Sequence, residues 1–367
     1  MTKSTSQQKV PKVFQMPPLG SLDLYEVTIK DLQQYMSSGQ LSSHGYVTYC
    51  LERIRVVNPY LEAVIEVNPD ALAIAKKLDE ERQRGIVRST LHGIPVLVKD
   101  VRNASVLTLS KTDGSRTSPR MIGCKRLPAL GLCWAARSRR MPTSPDDVSR
   151  LRDAGAVILG HTNMSEWASV RSSQFSSGYS PRGGQCRNAF DLSKSPYGSS
   201  SGSAVAVSAN IVPISFGTET DASIIGPAEV NGIVGIKPTV GLTSRTRVIP
   251  ISRNMDSVGV LGRTVADAVH GLDIIAGKDQ EDPMTHDRSN DKITYSNSLA
   301  SENSPEREQS LGCPGPVAGN ALPPSEKRLH YKPSRLSRTR ALRLSALISP
   351  VPKDSHRPGR QLGLETR

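Results

Sequence analysis

The sequence predicts an α/β protein: an open, largely parallel or mixed β-sheet covered by helices on both faces. Three observations carry that expectation. Short apolar runs at 94–98, 156–159, 211–216 and 234–237 alternate with helical patterns near 147–154, 203–209 and 264–276, the order that lays helices against a sheet. The 367 residues allow one large domain or two modest ones. No stretch approaches the roughly 18 unbroken apolar residues of a membrane span.

Residues 1–20 form a polar, proline-punctuated lead. Thr28 and Asp31 have the spacing that caps a first helix. Ser42 or Ser43 starts a second helix that runs toward Asn58-Pro59, and Asn68-Pro69 starts a third that extends to Arg84. These three are expected to pack outside the sheet. Ile94 to Val98 is the first strand, with Lys99 at its end, and the helix near 147–154 leads into the strand Ala156 to Leu159. Ala204 to Ala209 is small and apolar and reads as a helix; Ile211 to Phe216 reads as a buried strand. Val234 to Lys237 is a further strand, and the helix near 264–276, with Val265, Val269 and Leu272 in period, is expected to be closed by Gly277.

Charge divides the chain differently. The net charge is +13, which over a whole basic protein would suggest nucleic acid or an anionic surface. Residues 101–145 hold nine Lys/Arg against one Asp, and residues 284–367 hold fourteen against eight acids. The remainder nets −1, so the basic excess lies in two segments without sustained periodicity. Both lack interleaved aromatics and any recognisable nucleic-acid module, which argues against a nucleic-acid partner. The first is expected to be irregular and the second to be a disordered tail.

The chemistry concentrates in two serine- and glycine-rich turns that bracket the buried helix and strand. Tyr197-Gly198-Ser199-Ser200-Ser201-Gly202-Ser203 precedes them and Gly217-Thr218-Glu219-Thr220-Asp221-Ala222-Ser223 follows. With Lys99, in Gly93-Ile94-Pro95-Val96-Leu97-Val98-Lys99-Asp100, these are the parts of a Ser-Ser-Lys hydrolase. At these residues the sequence resembles the amidase signature hydrolases. The resemblance continues through Gly160-His161-Thr162-Asn163-Met164-Ser165-Glu166, Gly232 to Thr239, Ile249-Pro250-Ile251-Ser252 and Arg263-Thr264-Val265-Ala266-Asp267.

Position by position, the resemblance implies Ser223 as nucleophile, Ser199 as a bridging serine in a non-proline cis conformation, and Lys99 as base. It implies a mixed sheet sandwiched by helices and an acyl-serine route from a carboxylic amide to an acid and ammonia or an amine. A serine hydroxyl must lose its proton as it attacks, and a lysine can take that proton only when neutral. An unperturbed lysine titrates near about 10.4, so burial beside Ile94, Val96 and Val98 would have to lower it. Backbone N–H groups of Thr220, Asp221, Ala222 and Ser223 would hold the oxyanion, with Ser200 in support. Where the family commonly has Gly-Gly before the nucleophile, this chain has Asp221-Ala222; alanine is out of place if the turn needs positive φ.

The resemblance stops at Asp100, resumes near Asp146 and stops again near Met284, and the family's usual C-terminal portion has no counterpart. Translation out of frame or through retained introns would account for the two basic segments; an insert plus a solvated tail is the alternative. Two other functions follow for the chain: a degenerate, truncated member without activity, or a glutaminase-like subunit of a tRNA-dependent amidotransferase. Gly198-Ser199-Ser200-Ser201-Gly202 also fits a nucleophile elbow with Ser200 attacking, but the segment before it is polar and the one nearby base, His270, falls on a helix face. Gly271 to Lys278 has the wrong spacing for a phosphate loop. Cys50, Cys124, Cys133, Cys186 and Cys313 form no C-x-x-C pair, so neither metal nor cofactor is expected. Scattered cysteines and no signal peptide fit a reducing compartment, the cytoplasm, with Cys50 on a helix face. The expected partner is a small-molecule amide; the oligomeric state is open.

Overall fold

The computed structural model describes residues 14–100, 147–170, 172, 174, 176–286 and 294–299. The expectations for the start of the lead, for the segment 101–145 and for most of the tail beyond Met284 fall outside these residues.

Local sequence starts each helix. α1 (Ile29–Ser37) opens on a reciprocal capping box between Thr28 and Asp31, and α7 (Val265–Ile275) on the same box between Thr264 and Asp267. α2 (Ser43–Leu61) is capped by the Ser42 hydroxyl. It runs through Pro59 rather than stopping there and ends where Glu62 takes a left-handed conformation. Asn58 locks that end, exchanging side-chain hydrogen bonds with the backbone of Val64 at 2.8 Å. α3 (Ala71–Gln83) follows Asn68-Pro69. α4 (Asp147–Asp153), α5 (Ser201–Ser208) and α6 (Ile225–Val230) complete the set used below. α7 ends with Ala276 extended, and the Gly277 N–H donates to the carbonyl of Leu242 instead of closing the helix.

The six-stranded sheet has the order β1-β3-β2-β6-β8-β7, with β1 at Val64–Val67, β2 at Pro95–Lys99, β3 at Val157–Thr162, β6 at Ile214–Glu219, β7 at Val234–Ile236 and β8 at Ser257–Gly262. A separate hairpin pairs β4 (Tyr179–Ser180) with β5 (Gly184–Gln185). The central strands β3, β2 and β6 run parallel, while β1, β8 and β7 pair antiparallel. The sheet is therefore mixed, and its centre is apolar because both faces are covered.

Alternation along β6 shows the two faces. A Cβ on Gly271 of α7 would meet Ile214 Cδ1 at 2.4 Å and Phe216 Cζ at 3.5 Å, so those side chains face α7. The residue between them faces the other way: Ser215 Oγ donates to the Ser203 carbonyl of α5 at 2.7 Å. Helices thus cover both faces, as expected. α5 comes close enough to the sheet that a Cβ on Gly202 would lie 2.3 Å from the Ala63 carbonyl oxygen and 2.5 Å from the Asn163 nitrogen.

Four strands go beyond the sequence reading: β1 and β8 in the sheet, and β4 and β5 in the separate hairpin. β8 carries Gly259 and Gly262, which lower strand propensity. Each is required by packing: a Cβ on Gly259 would lie 2.2 Å from the Ile236 carbonyl of β7, and one on Gly262 2.8 Å from the Ala268 nitrogen of α7. Cys50 is buried in α2, and no helix among the described residues is long and apolar enough to cross a membrane.

Candidate active site

Parallel pairing of β2 with β6 aligns Val98 with Phe216, so Lys99 ends its strand beside Gly217 and Thr218. Its side chain is 2% exposed. The amine donates to Ser199 Oγ at 2.7 Å, Thr218 Oγ1 at 3.0 Å and the Thr218 carbonyl at 3.1 Å. Burial pushes the amine down to about 7, against the opposing pull of the Glu219 carboxylate. The sequence expectation of a desolvated lysine therefore has its structural counterpart.

Ser199 follows a cis Gly198–Ser199 peptide bond, the conformation the resemblance implied. Its carbonyl accepts the Ser165 N–H at 3.1 Å, and its hydroxyl donates to Ser223 Oγ at 3.0 Å. Ser200 bridges the two turns: its N–H donates to the Ser223 carbonyl and its hydroxyl to the Thr218 carbonyl, both at 3.1 Å. Among the described residues its hydroxyl meets no histidine, and His270, the base a nucleophile elbow would need, lies on α7, across the sheet from α5.

Ser223 is 8% exposed at the mouth of this file of hydroxyls. Its turn is held from both sides. Thr220 Oγ1 is bonded to Asp256, and Glu219 Oε2 accepts the N–H groups of Ile224 at 2.6 Å and Ile225 at 2.9 Å. Among the described residues the N–H groups of Thr220, Asp221, Ala222 and Ser223 donate to no acceptor. Asp221 keeps negative φ, but Ala222 sits at φ 54, the left-handed region that glycine occupies at lower energy. The doubt raised by the missing glycine is thus a real feature of the turn.

All three residues expected to carry the chemistry, Lys99, Ser199 and Ser223, come together, with Ser200 one bond away. Thr218 and Glu219 are the residues that sequence reasoning passed over. Both stood in the Gly217-Thr218-Glu219 string, yet only contacts across the site reveal their part. Among the described residues no three His, Cys, Asp or Glu side chains gather where they could hold a metal ion.

The family model described as Amidase matches residues 46–117 and 135–308. A Schizosaccharomyces pombe protein with a provisional amidase name is 45% identical over 273 residues, 74% of this chain and 44% of that one. A glutamyl-tRNA(Gln) amidotransferase subunit of Symbiobacterium thermophilum is 37% identical over 260 residues, covering 70% and 48% of the two chains. Among solved structures, the native peptide amidase of Stenotrophomonas maltophilia is 42% identical with a TM-score of 0.62, over 74% of this chain and 52% of that one. The chain spans about half the length of the curated relatives it matches.

Proposed function

The chain belongs to the amidase family, and from that premise we propose that it hydrolyses a carboxylic amide through an acyl-Ser223 intermediate, with Ser199 as relay and Lys99 as base. The observation that carries this reading is the continuous file from Lys99 Nζ to Ser199 Oγ at 2.7 Å and on to Ser223 Oγ at 3.0 Å.

Neutral Lys99 has two N–H donors and one lone pair. The two Thr218 acceptors take the donors, which leaves the lone pair facing the Ser199 hydroxyl, so that with Lys99 neutral the hydroxyls rotate and Ser199 donates to Lys99 while Ser223 donates to Ser199. Ser223 Oγ attacks the amide carbon as its proton passes to Ser199 and that of Ser199 passes to Lys99. The oxyanion receives N–H donors of the 220–223 turn, which have no acceptor among the described residues. Collapse breaks the C–N bond, and the proton returns from Lys99 through Ser199 to the leaving nitrogen. Water then attacks the ester along the same relay, releasing the acid and restoring Ser223. Because Lys99 is held down to about 7, a large share of it is neutral at neutral pH without a separate activating group.

Turnover of a small amide by the chain and by Ser223→Ala tests the reading. The variant is expected to be inactive; wild-type-like rates in it would remove Ser223 as nucleophile. The amidotransferase relative supports a second reading, a glutaminase-like subunit whose ammonia passes to a partner. Glutaminase activity that rises on adding such a partner separates the two. A third reading, a degenerate member, draws on Ala222 at φ 54. Measurable amide hydrolysis by this chain defeats it.

A further inference from the structure

The carboxylate of Glu219 is 4% exposed, and none of the roles described so far requires it to be there. A carboxylate out of water must be compensated by hydrogen bonds or by charge. Here one oxygen, Oε2, takes both: it accepts the N–H groups of Ile224 and Ile225, the two residues directly after the nucleophile. Charge-assisted bonds of this kind are short and directional. The 220–223 turn is therefore pinned at its start, where β6 ends in Glu219, and at its finish, where the same side chain reaches across to the beginning of α6. With the amides after Ser223 drawn back toward β6, those of Thr220 to Ser223 are left without acceptors among the described residues.

We propose that Glu219 is a positioning residue for the reaction at Ser223, its buried carboxylate anchoring the two amides that follow the nucleophile. The inference rests on the Ser-Ser-Lys reading above. Neighbouring charges are engaged elsewhere. Arg245 is paired with Asp282, Asp256 accepts from Thr220, Ile251 and Ser252, His161 is bonded to Glu66, and Arg182 bridges Glu66 and Asp100.

Glu219→Gln keeps the length and one oxygen acceptor but removes the charge; Glu219→Ala removes both. The readout is the rate at which an alkyl fluorophosphonate labels Ser223 in the full chain, followed by mass spectrometry from pH 5.5 to 10, because labelling reports the nucleophile without needing turnover. In Glu219→Gln, which keeps an oxygen acceptor for the two amides, the high-pH plateau is expected to stay within about tenfold of wild type. In Glu219→Ala the plateau is expected to drop about a hundredfold or more. A wild-type plateau in Glu219→Ala, or a Glu219→Gln plateau as low as that of Glu219→Ala, overturns the anchor. Should Glu219→Ala fail to fold, Glu219→Met, of similar length but without an oxygen acceptor, takes its place with the same expected drop. Failure of the parent reading has a different signature: Ser223 unlabelled in the wild-type chain, or a pH rise that survives in Lys99→Met.

Discussion

Replacing Lys99 by methionine isolates the amine from everything else that titrates. Burial holds the folded amine at about 7, whereas the unfolded chain keeps its lysine proton to about 10.4. Below pH 7 both states are protonated and the full penalty of a buried charge applies. Between the two values the unfolded chain holds a proton that the folded chain has released, so stability rises with pH. One proton contributes about 1.4 kcal/mol per pH unit where the two states differ fully. Since the folded amine is half-deprotonated near pH 7, the rise from pH 7 to pH 9 comes to about 2 kcal/mol. Urea unfolding at pH 6, 7, 8 and 9, followed by far-ultraviolet circular dichroism, measures it as the difference between wild type and Lys99→Met. Groups shared by both chains, such as Cys50, whose thiol burial pushes up to about 12, cancel in that difference. The wild type should gain on the variant by about 2 kcal/mol over this window. A flat difference over this window would refute the depressed amine, because a lysine that keeps its proton in both states contributes no slope below about pH 10.

Ser199→Ala breaks the file between base and nucleophile, and labelling of Ser223 should slow by roughly 10²–10⁴-fold, the range for a lost proton-transfer group; a rate within twofold of wild type would show that Lys99 reaches Ser223 directly. Ala222→Gly releases a left-handed alanine at roughly 1–2 kcal/mol, against roughly 0.4–1 kcal/mol of added chain entropy in the unfolded state. The urea midpoint should rise modestly, and a fall would show that the alanine is not strained. Gly202→Ala would place a Cβ against the backbone of Ala63 and Asn163, where no side chain can move aside, and should destabilise by about 3 kcal/mol or more; an unchanged midpoint in urea would contradict the packing of α5.

What the sequence made legible follows from how local each feature is. The capping box at Thr28 and Asp31 depends on residues three apart, and it forms as read. The candidate residues Ser199 and Ser223 were legible because they sit in two short glycine- and serine-rich strings, and Lys99 because it ends an apolar run, each with recognisable neighbours. β8 was not legible, since its two glycines lower strand propensity and are needed only once β7 and α7 lie against them. Asn58-Pro59 misled for a related reason: the last turn of α2 survives because Asn58 is held by Val64, a contact formed only after the chain has turned back. Thr218 and Glu219 belong to the same class. The Thr218 hydroxyl matters because Lys99, 119 residues earlier, arrives beside it.

Strand register converts these separate features into one site. Parallel pairing of Leu97 with Ser215 and Val98 with Phe216 fixes how far β2 extends along β6, and therefore where Lys99 stands relative to Thr218. The α5 face of β6 then carries Ser215, Gly217 and Glu219 in alternation. Ser215 ties α5 to the strand through Ser203, and Gly217 leaves room for Ser200, since a Cβ there would lie 2.7 Å from its hydroxyl. Glu219 reaches forward to the start of α6. Lys99, Ser199 and Ser223 are thus all referenced to a single strand, with Lys99 beside it, Ser199 in the loop entering the helix above it and Ser223 in the turn leaving it. A one-residue slip between β2 and β6 would turn Lys99 to the α7 face and break the file completely, so the same pairing that buries the centre of the sheet also sets the distances between these three side chains.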